Sequence, residues 1–242
     1  MNCKVYSTTH VGKRRKNNQD SILVNTDLNL YAVADGMGGH KGGEVASAKA
    51  IEVLENYMLD AVKKKSFFPE LALMEAFQIA SNQVYLKSRE NELELAGMGT
   101  TLVACFIWKS KIFFANVGDS RAYLFRNPYL WRVTEDHSII NEQLKKGLIS
   151  EDQAGLLEDT NVITRSIGFM PDVEVDVFEK KILPKDLFML CSDGLSGMVP
   201  DKEISEISQN NSLEKVTEKY LQQALDAGGD DNISIIVISP EL

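Results

Sequence analysis

The sequence predicts an α+β layered domain, with antiparallel sheets inside and helices outside. Three observations carry this. Short apolar segments rich in Val, Ile, Phe and Tyr follow one another through the middle of the chain, the composition of pleated, buried strands. The gaps between them are of hairpin length, which suits antiparallel pairing. Longer segments of helical periodicity are grouped before and after them, so a doubly wound parallel sheet is disfavoured.

The candidate strands are Ser21–Asn25, Leu30–Ala34, Thr101–Trp108, Lys111–Val117, Arg121–Arg126, Leu130–Thr134, Val173–Phe178, Leu187–Ser192 and Asn232–Ser239. Turn residues punctuate them, and Phe125-Arg126-Asn127-Pro128-Tyr129 reads as a hairpin connection. A helix over Gly43–Leu59 places Val45, Ala48, Ile51, Leu54 and Met58 on one stripe. A second, Pro69–Glu90, does the same with Leu73, Phe77, Ala80 and Val84, and Pro69 suits a first helical turn. A third, near Ser212–Ala227, carries Leu213, Val216, Tyr220 and Leu221. Ile139–Gly168 is charged and only weakly periodic, so it reads as a surface excursion of short helices.

The chain has 242 residues, 44% hydrophobic and 25% charged, enough for a substantial core. With no repeat, low-complexity tract or linker, one domain over 1–242 is expected. The net charge of -9 argues against a nucleic-acid or anionic-membrane surface. No apolar run approaches the roughly 18 residues of a membrane span, and the N-terminus lacks a signal-peptide core. A cytoplasmic location is the expectation. Cys105 and Cys191 lie inside apolar runs and read as buried reduced thiols, and Cys3 shares no metal or redox spacing with them. The basic run Lys13-Arg14-Arg15-Lys16 reads either as a solvated loop or as a local anion site.

Aspartates recur at the ends of these strands. Asp20 precedes Ser-Ile-Leu-Val, Asp35 closes Leu-Tyr-Ala-Val-Ala, and Asp119 follows Asn-Val-Gly. Asp193 closes Leu-Phe-Met-Leu-Cys-Ser, and Asp230 and Asp231 open Asn-Ile-Ser-Ile-Ile. Any one of them reads first as a turn former, and Asp35-Gly36 is a strong turn signal. If the strands pack side by side, the carboxylates converge, and converging carboxylates need a cation. Oxygen donors of this kind suit Mg²⁺ or Mn²⁺. At Gly36 a backbone carbonyl could also approach an ion without interference from a Cβ. The glycine-rich Gly36-Met37-Gly38-Gly39-His40-Lys41 fails the dinucleotide fingerprint, because Lys41 takes the third glycine position, and it is no P-loop.

An ordered set of motifs then resembles one family nearly end to end. It comprises Val11–Asp20 (VGKRRKNNQD), Ala34–His40 (ADGMGGH), Gly43–Ser47 (GEVAS) and Gly99–Thr101 (GTT). Asn116–Arg121 (NVGDSR), Thr134–Ser138 (TEDHS), Ile163–Gly168 (ITRSIG), Cys191–Leu195 (CSDGL) and Asp231–Ser234 (DNIS) complete it. The chain is similar to the PP2C-type (PPM) metal-dependent protein serine/threonine phosphatases, bacterial single-domain type. The resemblance implies a four-layer α/β/β/α sandwich, two antiparallel sheets flanked by helix pairs, with a metal site at one end. It implies that Asp35, Asp193 and Asp231 bind two Mn²⁺ or Mg²⁺ ions, Asp35 bridging both. Gly36 would lend its carbonyl, Asp20 would act mainly through metal-bound water, and Asp119 with Asp193 would form a weaker third-ion site. Arg15 would hold the substrate phosphate, and residues 139–168 would be a flap.

The chemistry implied is direct hydrolysis of phosphoserine and phosphothreonine in proteins by a water or hydroxide bridging the two ions, with no covalent phospho-enzyme. The implied partners are phosphorylated proteins, including a bacterial Ser/Thr kinase that the phosphatase opposes. Neither nucleic acid nor membrane is expected as a partner, and the expected state is a monomer. A catalytically silent phosphoprotein-binding relative is the alternative, and it would be expected to have lost a metal carboxylate. A phosphatase acting on phosphoserine in a small regulatory protein is a further variant. The sequence departs from the family at His10, where many bacterial members have Asp, and at Gln19, where some have Glu. Met37 stands where animal members place a histidine general acid and cannot donate a proton. His40 and His137 read as structural.

Overall fold

The computed structural model describes residues 1–38, 42–154 and 162–241. In chain order the first elements are β1 (Cys3–His10), β2 (Asp20–Asn25), β3 (Leu30–Met37), α1 (Gly42–Ala61), α2 (Pro69–Glu90) and α3 (Glu92–Leu95). The central strands are β4 (Gly99–Thr100), β5 (Leu102–Trp108), β6 (Lys111–Val117), β7 (Arg121–Arg126) and β8 (Tyr129–Arg132). Then come α4 (Ile139–Lys145), α5 (Glu151–Ala154), β9 (Asp176–Lys181) and β10 (Leu187–Cys191). The chain closes with α6 (Asp193–Ser196), α7 (Asp201–Asn210), α8 (Leu213–Asp226) and β11 (Ile233–Pro240).

Two antiparallel sheets form the centre. One runs β1-β11-β10-β7-β8; the other runs β2-β3-β5-β6-β9, with β4 also paired to β3. Side-chain alternation explains the layers. Along β3, Leu30, Ala32 and Ala34 face α1 and α2, where Leu54, Met58, Leu73 and Phe77 lie. The intervening Tyr31 and Val33 face the other sheet and meet Phe188, Ile236 and Ile238. On that sheet Tyr123, Met189, Ile235 and Val237 point outward to Val216 and Tyr220 of α8. Both sheets are therefore covered on both faces, which is why their strands read as continuous apolar runs. The result is the expected α/β/β/α sandwich.

Some boundaries differ from expectation. Asp35 and Gly36 lie within β3 rather than in a turn after it, because β2 and β4 pair with that end: Asp20 is opposite Asp35 and Gly36 opposite Thr100. Gly36 serves close packing instead. A Cβ there would stand 2.0 Å from the Gly43 carbonyl oxygen of α1 and 2.6 Å from that of Gln19. β1 and α7 have no counterpart among the sequence-predicted elements. β1 is a partly exposed edge strand, Cys3–His10 against Ile233–Pro240, and only Ile204 of α7 is fully buried. β9 begins three residues later than the run Val173–Phe178 suggests. Val173 and Val175 pack under the helices without joining the ladder.

Candidate active site

The strand ends meet in a cleft of about 260 Å³ lined by Arg15, Asp35, Gly36, Asp119, Asp193 and Asp231, together with Met37, Thr101 and Asn232. An adjoining cleft shares Arg15, Asp119, Asp193 and Asp231. Asp20 is not part of the lining but sits buried opposite Asp35. A more voluminous groove between α1 and α2 is lined mainly by Glu and Lys with Val45, Ala48 and Leu86, away from these carboxylates.

Each side chain has an identifiable support. Asp35 is fixed through its backbone: its N–H donates to Thr101 Oγ1 at 2.9 Å, and its carbonyl accepts from Thr101 N at 2.8 Å. Thr101 is itself held by Ser120 at 2.7 Å. Asp20 Oδ2 accepts from Ser192 Oγ at 2.8 Å, across the gap between the sheets. Asp119 leaves the β6–β7 turn, which His137 secures. The Gly118 N–H donates to His137 Nδ1 at 3.1 Å, and the His137 N–H donates back to the Gly118 carbonyl at 3.0 Å. Burial lowers the His137 pKa even though Asp176 stands 3.2 Å away, so this histidine serves as a neutral hydrogen bonder. Arg15 donates to Asp231 Oδ2 at 2.6 Å, and the Asn232 N–H donates to Asp231 Oδ1 at 2.8 Å. His10 accepts the Gly12 N–H at 2.9 Å and so braces the loop leading to Arg15. The reading of His40 falls outside the described residues.

The electrostatics are those of an acidic site short of positive charge. Burial, followed by the charges of Asp193 and Asp231, raises the Asp20 pKa to about 6 against the hydrogen bonds from Ser192 and Ser234. Burial and then Asp193 raise Asp119 to about 7. Burial, Asp20 and Asp193 push Asp35 well up, and burial and then Asp231 raise Asp193. Asp20 Oδ1 and Asp193 Oδ1 are buried without a hydrogen-bond partner, a costly arrangement for carboxylate oxygens. Divalent cations bound among these carboxyls would favour their ionised forms and so oppose the pKa shifts. Among the described residues no group of three or more His, Cys, Asp or Glu side chains is placed to hold one ion by itself, so water and backbone oxygens would have to complete each ion's shell, as they commonly do for Mg²⁺. The residues fit such ions.

No thiol competes as nucleophile: Cys191 is buried and its pKa is pushed up to about 12 by that burial. Sequence reasoning identified the carboxylates and Arg15 but gave no role to Ser192, Thr101 or Asn232. The only signal for Asn232 was its place in Asp231-Asn232-Ile233-Ser234.

Comparisons with known proteins bear on this geometry. A family model described as Protein phosphatase 2C matches residues 4–233. The serine/threonine phosphatase stp of Listeria monocytogenes serotype 4b (strain F2365) is 38% identical over 243 residues, covering 97% of this chain and 94% of that protein. The crystal structure of the serine/threonine phosphatase Stp1 from Staphylococcus aureus aligns with a TM-score of 0.91 at 32% identity, over 100% of this chain and 96% of that one. The catalytic domain of the serine threonine protein phosphatase PstP, in complex with two manganese ions, aligns with a TM-score of 0.86 at 30% identity. That alignment covers 98% of this chain and 97% of that one.

Proposed function

From the premise that the chain belongs to the protein phosphatase 2C family, we propose that Asp35, Asp193 and Asp231 hold a pair of Mn²⁺ or Mg²⁺ ions, with Arg15 holding the substrate phosphate. The protein is a metal-dependent serine/threonine phosphatase. The observation that carries the site assignment is the pair of orphaned buried oxygens, Asp20 Oδ1 and Asp193 Oδ1, amid four carboxyls of raised pKa. The Gly36 carbonyl would complete the inner set, Asp20 would act mainly through metal-bound water, and Asp119 with Asp193 would form a weaker third position. The catalytically silent alternative finds no support, because no expected ligand is missing.

When bound, the ions supply an activated water and neutralise charge on the phosphoryl oxygens. The chain's own residues do the rest. Arg15, paired with Asp231 at 2.6 Å, stands at the cleft lip, where its planar guanidinium can grip two phosphate oxygens. The Thr101 and Ser120 hydroxyls and the short β4 hold Asp35 rigidly, so little reorganisation is needed. Met37 lines the cleft and offers no proton to a leaving serine or threonine oxygen.

The natural substrates proposed are phosphoproteins, including a bacterial Ser/Thr kinase and that kinase's targets, met in the cytoplasm by a monomer. Among the described residues no helix is long and apolar enough to cross a membrane. The whole chain is proposed to work as one phosphatase domain, with 139–168 as a flap. The start of that segment is tied to its returning stretch of chain, Ile139 N donating to Val162 O at 3.0 Å and Thr164 N to His137 O at 2.8 Å.

The test is hydrolysis of p-nitrophenyl phosphate and of a phosphothreonine peptide, with Mn²⁺ titrated in after chelation. Metal-dependent turnover that falls about 100-fold or more in Asp193→Ala is expected. Folded wild-type protein that stays inert at every Mn²⁺ and Mg²⁺ concentration would overturn the reading.

A further inference from the structure

The loop that carries Arg15 has almost nothing of its own to hold it. Val11–Gln19 contains no helix or strand, and Lys13 to Asn17 are exposed. Burial of its side chains cannot fix it, and a loose loop would hold its arginine loosely.

Beside the His10 brace at Gly12 and a bond from Asn18 Nδ2 to Thr9 Oγ1 at 2.7 Å, one side chain from the far end of the sequence ties both ends of the loop together. Asn232 is 4% exposed and lies on the connection into β11. Its Nδ2 donates to the Val11 carbonyl at 3.0 Å and to the Asn17 carbonyl at 3.0 Å. Its Oδ1 accepts the Gln19 N–H at 2.8 Å. Both amide hydrogens and the amide oxygen are thus spent on the two ends of the loop. Lys13 N adds a bond to the Gly229 carbonyl at 2.6 Å. The close approach requires Gly12, which has φ +79° and whose Cβ would stand 2.2 Å from the Asp231 carbonyl oxygen. Through its backbone N–H the same Asn232 also orients Asp231, the acceptor of Arg15.

We infer that Asn232 is the positioning residue for Arg15: its carboxamide staples the Val11–Gln19 loop to the Asp231 segment and so sets where the phosphate-holding guanidinium sits. This rests on the reading of Arg15 as the phosphate ligand. Asn232 lines the cleft, but its carboxamide atoms are taken up by the loop. Its chemistry is specific, because two donors and one acceptor are needed from one compact side chain. Aspartate has the same shape but offers no donor to the two carbonyls.

The first experiment needs neither metal nor turnover. The loop contains Lys13, Arg14, Arg15 and Lys16, so trypsin reports its opening directly. In metal-free protein, Asn232→Ala and Asn232→Asp should each raise cleavage within Lys13–Lys16 by about tenfold or more, with cleavage elsewhere unchanged. The second is a double-mutant cycle on inhibition by inorganic phosphate in Mn²⁺. Asn232→Ala should weaken inhibition by about tenfold in the parent and by less than about twofold beside Arg15→Ala, with KM rising more than kcat falls. A loop as resistant as the wild type overturns the assignment. So does uniform cleavage of the whole chain in both variants, or an equal loss of phosphate inhibition with and without Arg15. Wild-type protein that hydrolysed no phosphoester would strike the phosphatase reading instead, and the trypsin pattern would still decide what Asn232 does.

Discussion

Ser192 is fully buried between the two sheets and does two things at once. Its Oγ donates to Asp20 Oδ2 at 2.8 Å and accepts the Ser234 N–H at 3.0 Å. Ser192→Ala would leave that N–H buried without a partner and strip Asp20 of a donor. The expected loss is about 1–3 kcal/mol in metal-free protein, read as a shift of the urea midpoint at an unchanged slope. An unmoved midpoint would show that the bond contributes nothing. The contrast between this serine and the aspartates explains what was legible at the residue scale. A single aspartate at a strand end reads first as a turn former, and it was the recurrence of Asp20, Asp35, Asp119, Asp193 and Asp231 at successive strand ends, together with the ordered motifs around them, that let them be picked out. Ser192 and Asn232 have ordinary chemistry. Their importance lies in partners 172 and 213 positions away in the chain, which only the folded register brings close.

At the scale of elements, the junction of β3 with α1 is the sharpest constraint. The backbones of Gly36 and Gly43 approach so closely that a Cβ on either would fall within 2.6 Å of the other's carbonyl oxygen. Backbone cannot step aside as the tip of a flexible side chain can. Gly36→Ala should therefore lift the start of α1 from β3, lower stability by about 2–3 kcal/mol or more, and weaken Mn²⁺ binding measured by calorimetry. Binding and stability equal to wild type would refute this. The same junction shows why Asp35-Gly36 misled as a turn signal. Local propensity favours a turn there, but β2 and β4 flank the segment on both sides, and tertiary pairing overrides propensity. β1 was illegible for the converse reason. CKVYSTTH has polar residues where a sandwich strand would be apolar, because it is an edge strand whose only ladder partner is β11. The central strands, buried on both faces, were plain in the sequence.

Over the whole molecule, the clustered carboxyls should dominate the pH dependence of the metal-free protein. Asp20 titrates near 6 and Asp119 near 7 in the folded state, with Asp35 and Asp193 also raised. In the unfolded chain each returns to about 3.9. Between roughly pH 4 and 7 the folded state therefore binds more protons than the unfolded one, and stability must fall as pH rises through that window. His137 pulls the other way. Its lowered pKa makes the unfolded state the better proton binder near its ordinary value, so its contribution grows as pH rises. Four carboxyls outweigh one imidazole, so the net slope should be downward. Mn²⁺ should abolish that slope, because ions that bind only the folded state favour ionised ligands and add stability by mass action. The expected result is a melting temperature of the chelated protein that drops from pH 5 to pH 7, against a flat or rising curve with Mn²⁺. Parallel curves with and without the ion would mean that the raised carboxyls and the metal site are not the same groups.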